Sequence, residues 1–343
     1  MAGVGTPITR ITAFAVISAS VALLSGEVSI AGETPVWIAQ AAEPDHSHQH
    51  PAATGDTAHQ HGGDAADGSV QVELQTNPAT LQAGSRAELV FAFDDASGQP
   101  VEELLTHHAR KLHVVIVSED MHVLGHIHPQ DFGETVQGGL AKAYFTFPQA
   151  GRYLVGVDFM TTVQGSQDEQ FVVEVEGPPA EPKPGAEAPS GMVAVTLAED
   201  DSYTEPALLQ AMDQSQDYAV SLQQPDAIRA NEEVSFAYRF TKDGEPLTDL
   251  RPYLDAPMHL AVAKDDLTAF LHTHGTLPEN AHAGHGDHGA GGAAHGEAQR
   301  GPDTFGPQIS ATVTFPEPGT YYLFAQAAHG DQLLISRFPV HVE

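Results

Sequence analysis

The chain contains no cysteine, which excludes disulfides, thiolate metal sites and iron–sulfur clusters. Positive charge is also scarce: 14 Lys and Arg stand against 46 Asp and Glu, so the formal net charge is −32. A surface this acidic repels phosphate backbones, and nucleic acid is therefore not an expected partner. The most prominent apolar run, residues 11–26, is shorter than the ~20 residues that a membrane-spanning helix needs.

Histidine is the residue type in excess, with 20 copies, more than Lys and Arg together. Because thiolate ligands are missing, imidazole supported by carboxylate or thioether is the metal chemistry left to this chain. The histidine surplus therefore predicts binding of metal ions.

The first 41 residues have the features of a secretory signal: Arg10, a short apolar core, and the cleavage motif Ala39-Gln40-Ala41. Ala31 is a second candidate cleavage position, and a retained anchor helix is the alternative interpretation. Removal of the signal predicts a periplasmic or extracellular protein with no stable membrane span.

An internal repeat organises the rest of the chain. Residues 111–129 align without a gap on residues 257–275 at an offset of 146, and residues 145–157 align on 313–325 at an offset of 168. The change of offset places 22 extra residues, rich in Gly, Ala and His, in the second copy. The alignment superimposes three histidines on three others: His113 on His259, His126 on His272, and His128 on His274.

Each copy consists of short β-branched and aromatic runs separated by turn residues, the pattern of a β-sandwich. We therefore expect an all-β protein with two tandem Ig-like or cupredoxin-like sandwiches and disordered His-rich segments. The segment LLQAMDQ, residues 208–214, predicts one or two helical turns. The expected parts are a signal peptide (1–41), a His-rich disordered segment (42–68), a first sandwich (69–176), a Pro-rich linker (177–191), and a second sandwich (192–343) with a His-rich insertion (279–301).

Two groups of histidines lie in Gly/Ala/Asp-rich sequence that cannot form a core. Histidine tracts of this kind bind Cu(II), Ni(II) and Zn(II) through imidazole nitrogens, so we expect metal capture with little selectivity. A solvated tail without a specific role is the alternative. The histidines in the two tracts are His46, His48, His50, His59 and His61, and His282, His285, His288 and His295.

The aligned histidines have a spacing that predicts convergence. A hairpin turn centred between Glu119 and Asp120 places His113 opposite His126, and His128 then points to the same face of the sheet. The second copy repeats this arrangement, with His259 opposite His272 and His274 as the third member. Three imidazoles on rigid strands suit Cu(II), with Zn(II) or Ni(II) as alternatives.

A fourth ligand could come from several nearby side chains. The alternative for the trios is a structural role, in which the histidines hydrogen-bond to loop carbonyls. The candidates for the fourth ligand are His122, Asp158 and Met160 in the first copy, together with His107 and His108 before its hairpin, and His329 in the second copy.

The run Met258-His259-Leu260 before an H-x-H pair, and the motif F-x-F-P-x-x-G-x-Y at residues 145–153, resemble a group of small exported bacterial sandwiches. These are the YtkA-like and CopC-like, cupredoxin-related metal-binding modules, and the resemblance covers residues 69–176 and 218–343. The resemblance implies periplasmic binding or delivery of copper, with a metal transporter or efflux component as partner.

No Ser/His/Asp set, phosphate loop or paired-carboxylate cleft is found in the sequence, so we expect a protein that is not an enzyme. The favoured function is metal capture, buffering or delivery through the two trios and the His-rich tracts. A structural or adhesive pair of Ig-like modules is one alternative. A cupin-type metal-dependent oxygenase is another, from the partial motif His272-x-His274 followed by Glu279 and Gly286.

Overall fold

The computed structural model describes residues 37–38, 70–178, 190–211, 217–278 and 302–343, all of which belong to one unit, Pro35–Glu343. Within these residues the regular secondary structure is almost entirely β-strand, and the one helical element is a 3₁₀ turn, Pro129–Phe132. The prediction of an all-β sandwich fold is therefore confirmed. No helix in the described ranges is long and apolar enough to cross a bilayer.

The first copy of the repeat forms two sheets, which together make the first module. One sheet has the order β1-β2-β4-β7 and the other contains β6-β5-β8-β9-β3. The strands are β1 (Trp37–Ile38), β2 (Gln71–Asn77), β3 (Leu81–Gln82), β4 (Arg86–Asp94), β5 (Leu112–Ser118), β6 (Val123–Ile127), β7 (Leu140–Thr146), β8 (Gly151–Thr161) and β9 (Gly165–Glu176).

Three short strands follow in the segment between the copies: β10 (Gly191–Thr196), β11 (Ala207–Leu208) and β12 (Gln210–Ala211). β10 pairs with the last strand of the chain, whereas β11 pairs with β6 of the first module. The helical turns expected within 208–214 are therefore wrong for the residues described there, because backbone pairing with the two sheets outweighs the weak helical pattern. The predicted second sandwich, 192–343, also includes a strand that joins the first module's sheet.

The second copy forms the second module, which repeats the strand order of the first. Its inner sheet runs β12-β10-β20-β19-β16-β17, and in its outer sheet β14 pairs with β13, β15 and β18. The strands are β13 (Tyr218–Gln223), β14 (Glu233–Lys242), β15 (Glu245–Pro246), β16 (His259–Lys264), β17 (Phe270–His274), β18 (Gln308–Thr314), β19 (Gly319–His329) and β20 (Gln332–Val342).

The burial pattern of each strand follows from its place in the layers. β4 alternates between buried and partly exposed residues, as a strand with one buried face does. β5, in contrast, is buried at every position. Its Val114 and Ile116 pack in the core of the first module, while Val115 and Val117 face the opposite way into a separate core.

That separate core lies between the two modules. Val115 and Leu124 of the first module share it with Ala261, Phe270 and Phe324 of the second, so the two six-stranded sheets pack face to face. Burial of apolar area stabilises such a contact by ~25 cal/mol per Å². The predicted histidine trios lie on this same inter-module face, because side chains alternate along each strand.

Candidate metal centre

The hairpin between β5 and β6 has a register that differs by two residues from the predicted one. Val115 pairs with His126, and Val114 with Ile127, so His126 is not directly opposite His113. The turn extends further than expected because Met121 adopts a left-handed backbone, with φ of 58° and a bond from its N–H to the Ser118 carbonyl. An even shift preserves the face of every side chain, so His113, His126 and His128 still point the same way.

The second hairpin shows the same difference. His259 pairs with His274, and Ala261 with His272, in place of the predicted opposition of His259 and His272. Leu267 takes the left-handed backbone here, with φ of 66°. The second trio therefore also keeps its common face, and the correction is equal in both copies.

The two trios meet across the inter-module core and form one cluster of six histidines. One ligand nitrogen from each of His113, His126, His259 and His272 lies within 4.8 Å of the other three. His128 and His274 complete the cluster, with ring centroids 4.7 Å from His126 and 4.8 Å from His272, respectively. His113, His126, His128 and His259 are at most 4% exposed.

The first trio places one ring nitrogen from each histidine close to the other two. His113 Nδ1 lies 3.1 Å from His126 Nε2 and 3.1 Å from His128 Nε2, and the last two atoms are 3.3 Å apart. An ion 2.0–2.1 Å from each nitrogen, as Zn²⁺ is from imidazole, needs ligand nitrogens about 3.3–3.6 Å apart. The triangle is therefore close to the size that one ion requires.

The opposite nitrogen of each imidazole in the first trio donates a hydrogen bond to an oxygen. His113 Nε2 donates to the His107 carbonyl over 3.1 Å, His126 Nδ1 to Gln326 Oε1 over 2.5 Å, and His128 Nδ1 to Asp131 Oδ2 over 2.7 Å. Each bond holds the proton on the outer nitrogen of a neutral ring. The three inner nitrogens consequently direct unprotonated lone pairs at one another.

Two histidines of the second trio, His259 and His272, have the same arrangement in a wider form. His259 Nε2 donates to the Tyr253 carbonyl over 3.1 Å, and His272 Nδ1 to Asp158 Oδ2 over 2.8 Å. The inner nitrogens, His259 Nδ1 and His272 Nε2, are 3.5 Å apart. His274 Nε2 is buried and has no hydrogen-bond partner among the described residues.

Each module supplies one residue that supports a histidine of the other module. Gln326 of the second module holds His126 of the first, and Asp158 of the first holds His272 of the second. Asp158 and Gln326 are 168 positions apart, the offset of the downstream repeat, so they occupy equivalent places. Each trio is therefore completed by the opposite module, as in a two-fold interface.

Burial favours the neutral form of His113, His126, His259 and His274. It lowers the pKa of His113, His126 and His259 well below 6.5, and the neighbouring histidines lower it further. The same causes lower the pKa of His274 well below its ordinary value. Buried, unprotonated imidazoles can act as metal ligands, so the cluster could hold a metal ion.

The remaining predicted ligands lie in different surroundings. His122 donates to the Asp120 carbonyl at the hairpin turn over 2.6 Å, and His329 bonds to the Tyr218 hydroxyl over 2.8 Å and approaches Asp249. The structure does not bring either residue into the cluster, because the turn and the far end of β19 hold them. Asp158 serves as the partner of His272, and His46, His48, His50, His282, His285 and His288 lie outside the described residues.

His107 and His108 border the cluster at the second trio. The ring of His108 lies against that of His274 with centroids 3.6 Å apart and planes tilted by 30°, and the ring centroid of His107 lies 5.5 Å from that of His274. Burial, followed by the charges of His107 and His272, lowers the pKa of His108 to about 4. Both residues come from the first module, which adds a further contact across the interface.

Sequence reasoning missed Gln326 and Asp131, which orient two of the ligands. Asp131 could have been found from its position three residues after His128, where its carboxylate also accepts the His128 backbone N–H. Gln326 carried no such signal, because it is 200 residues from His126 and meets it only through module packing.

Residues 64–177 and 212–343 match the family described as "Domain of unknown function (DUF8832)". The chain belongs to this family. Its two matched segments correspond to the two modules, each of which supplies one histidine trio to the cluster. A comparison with curated proteins finds no match.

Two bacterial α2-macroglobulins are among the solved structures with some likeness to the chain. The Salmonella protein reacted with methylamine is 13% identical with a TM-score of 0.20, over 76% of this chain and 14% of that protein. The E. coli protein in its native conformation is 11% identical with a TM-score of 0.23, over 81% of this chain and 26% of that protein. The chain thus spans a small part of their length, and likeness of this degree carries no argument about function.

Proposed function

We propose that this protein binds metal ions at the buried histidine cluster and acts in metal capture, buffering or delivery. Copper is the favoured ion, with zinc or nickel as alternatives, because all six side chains offer imidazole nitrogen. The role is one of binding, without catalysis. The observation that carries the proposal is the convergence of three lone pairs from His113, His126 and His128, at 3.1–3.3 Å.

Convergent lone pairs repel one another unless a proton or a cation lies between them. Burial disfavours the proton, since it lowers the pKa of His113, His126 and His128. The hydrogen bonds to Gln326 and Asp131 also fix the proton of each ring on its outer nitrogen. A metal cation accepts electron density from all three nitrogens at once, so it satisfies this geometry where a single proton cannot.

The setting of the site is part of the proposal. The expected signal peptide and the resemblance to YtkA-like and CopC-like modules favour an exported, periplasmic protein that exchanges metal with a transporter or efflux component. The His-rich tracts would raise the local metal concentration near the modules. The net charge of −32 favours approach of cations over a Debye length of ~8–10 Å.

The proposal is tested by calorimetric titration with Cu(II) and Zn(II). The protein is a full-length variant in which the nine tract histidines are changed to alanine, so that the tracts do not bind. Adding His113→Ala and His126→Ala is expected to abolish one tight equivalent of metal. The matched control adds His329→Ala and His341→Ala, which removes two histidines outside the cluster and is expected to leave binding unchanged.

Thermal unfolding with and without metal provides the second measurement. A ligand that binds only the folded state stabilises it by about 2.7 kcal/mol at a hundred times its Kd. The melting temperature is therefore expected to rise with Cu(II) and to return to its starting value with a chelator. Equal binding by the two double variants would contradict the proposal.

A further inference from the structure

One ion in the first trio satisfies only half of the cluster. Its three nitrogens are those of His113, His126 and His128, which leaves the lone pairs of His259 Nδ1 and His272 Nε2 facing each other at 3.5 Å. His274 Nε2 remains buried without a partner among the described residues. A buried polar atom without a partner is unfavourable, and a cation at the second trio would satisfy it together with the two facing nitrogens.

A single ion shared by both trios would engage only four of the six histidines. The ligand nitrogens of His113, His126, His259 and His272 all lie within 4.8 Å of one another, and those of His128 and His274 fall outside this group. Four nitrogens around one tetrahedral ion are about 3.3–3.4 Å apart, and even opposite corners of a square-planar ion are about 4.0–4.2 Å apart.

The two trios are nevertheless adjacent. Ring centroids of His113 and His272 are 5.2 Å apart, and those of His126 and His259 are 5.3 Å apart. Ions held by the two trios would therefore be close neighbours, as in two-metal sites whose ions lie ~3.5–4 Å apart.

We infer that the cluster is a two-ion centre, in which His113, His126 and His128 hold one ion and His259, His272 and His274 hold the other. The inference rests on the proposed metal binding and specifies its stoichiometry and arrangement. The carboxylates of Asp131 and Asp158, bonded to His128 and His272, offset part of the charge of two cations. An anionic ligand between the two ions, such as hydroxide, would balance part of the remaining positive charge.

The test counts ions and measures their separation in one sample. The full-length variant without tract histidines is dialysed against Cu(II), and bound copper per chain is measured together with its electron paramagnetic resonance signal. We expect two ions per chain and, at the second equivalent, a signal per copper well below that at the first. Neighbouring bridged Cu(II) ions couple their spins, whereas distant ions give signals that simply add.

The outcomes separate the inference from the proposed function. One ion per chain overturns the two-ion centre and leaves metal binding intact, while no bound copper overturns both. Two ions whose signals add also overturn the shared centre, because the trios would then hold distant ions.

A variant pair checks the assignment of ligands. His274→Ala, in the same background, is expected to reduce bound copper from two ions to one and to restore a full signal from the remaining ion. His329→Ala is the matched control and keeps two ions and the weakened signal, since its nitrogens bond outside the cluster. Far-ultraviolet circular dichroism identifies any variant that does not fold. His128→Ala then provides the equivalent loss from the first trio.

Discussion

Asp158 of the first module accepts a hydrogen bond from His272 Nδ1 of the second over 2.8 Å. The carboxylate is 3% exposed and also accepts from the Ser166 hydroxyl. The position of a ligand in one module thus depends on a residue of the other.

Substitution Asp158→Asn is expected to weaken metal binding by about 10–100-fold, the usual effect of losing an outer-shell carboxylate. The reason is that His272 loses the charged acceptor that orients its ring and raises its basicity. Competition with a chromophoric chelator measures the change. Asp249→Asn, which alters the carboxylate near His329, is the control and should keep the original affinity. An equal affinity in both variants would mean that Asp158 does not support a ligand.

The two trios are expected to differ in affinity. Asp131 holds His128 in the first module, whereas the residue at the same offset of 146 in the second is Leu277, whose side chain has no hydrogen-bond acceptor. Asp131→Asn should therefore weaken the tighter of the two binding steps by about 10–100-fold. Calorimetric titration resolves the two steps.

Arg110→Gln provides the control for Asp131→Asn. Arg110 donates to Asp131 Oδ1 over 3.1 Å, whereas His128 donates to Oδ2 of the same carboxylate. This variant keeps the His128–Asp131 bond, and its removal of a positive charge should leave affinity unchanged or increase it. A loss of affinity as large as that of Asp131→Asn would assign the effect to general destabilisation.

Stability of the metal-free protein is expected to fall as the solution becomes more acidic than pH ~6.5. Burial lowers the pKa of His126 and His259 well below 6.5. These two side chains therefore stay neutral in the folded state, whereas in the unfolded chain they take up protons below pH ~6.5. The stabilising contribution is therefore complete above the unfolded pKa and is lost as pH falls below it. Each such histidine contributes a slope of up to ~1.4 kcal/mol per pH unit.

Urea unfolding between about pH 7.5 and pH 5.5, in the presence of a chelator, measures this slope. His126→Gln should have a shallower slope than the unchanged protein, since one buried titrating group is gone. His341→Gln, an exposed position, should keep the original slope. Identical slopes in all three proteins would contradict a buried neutral cluster.

The contact between Gly156 and Phe270 tests the docking of the modules. A Cβ added at Gly156 would lie 2.5 Å from the Phe270 ring, across the inter-module core. Gly156→Ala should lower the free energy of unfolding by about 1–3 kcal/mol and weaken metal binding, because it separates the sheets that carry the trios. In a Phe270→Ala background the same substitution should cost much less, and additive costs would rule out the contact.

The strand pattern and the common face of each trio could be predicted because β side chains alternate with a period of two. Because of that period, a register error of two residues did not change the predicted face of the side chains, and His113 and His126 lie on one face of the sheet. The unbroken burial of β5 is visible in the sequence as LHVVIVS, a run that indicates a strand covered on both sides.

The meeting of the two trios could not be predicted from either copy alone. It depends on packing between sheets, which brings Gln326 to His126 and Asp158 to His272 from far along the chain. Hairpin geometry is local and can be derived from spacing, whereas the docking of two finished modules is set by the whole inter-module core.

Anomalous X-ray diffraction from crystals of the full chain grown with Cu(II) tests the central claim most directly. Metal binding at the cluster predicts an anomalous peak ~2.0–2.1 Å from His113 Nδ1, His126 Nε2 and His128 Nε2. A cluster without a peak, in crystals that carry copper at other histidines, would contradict it.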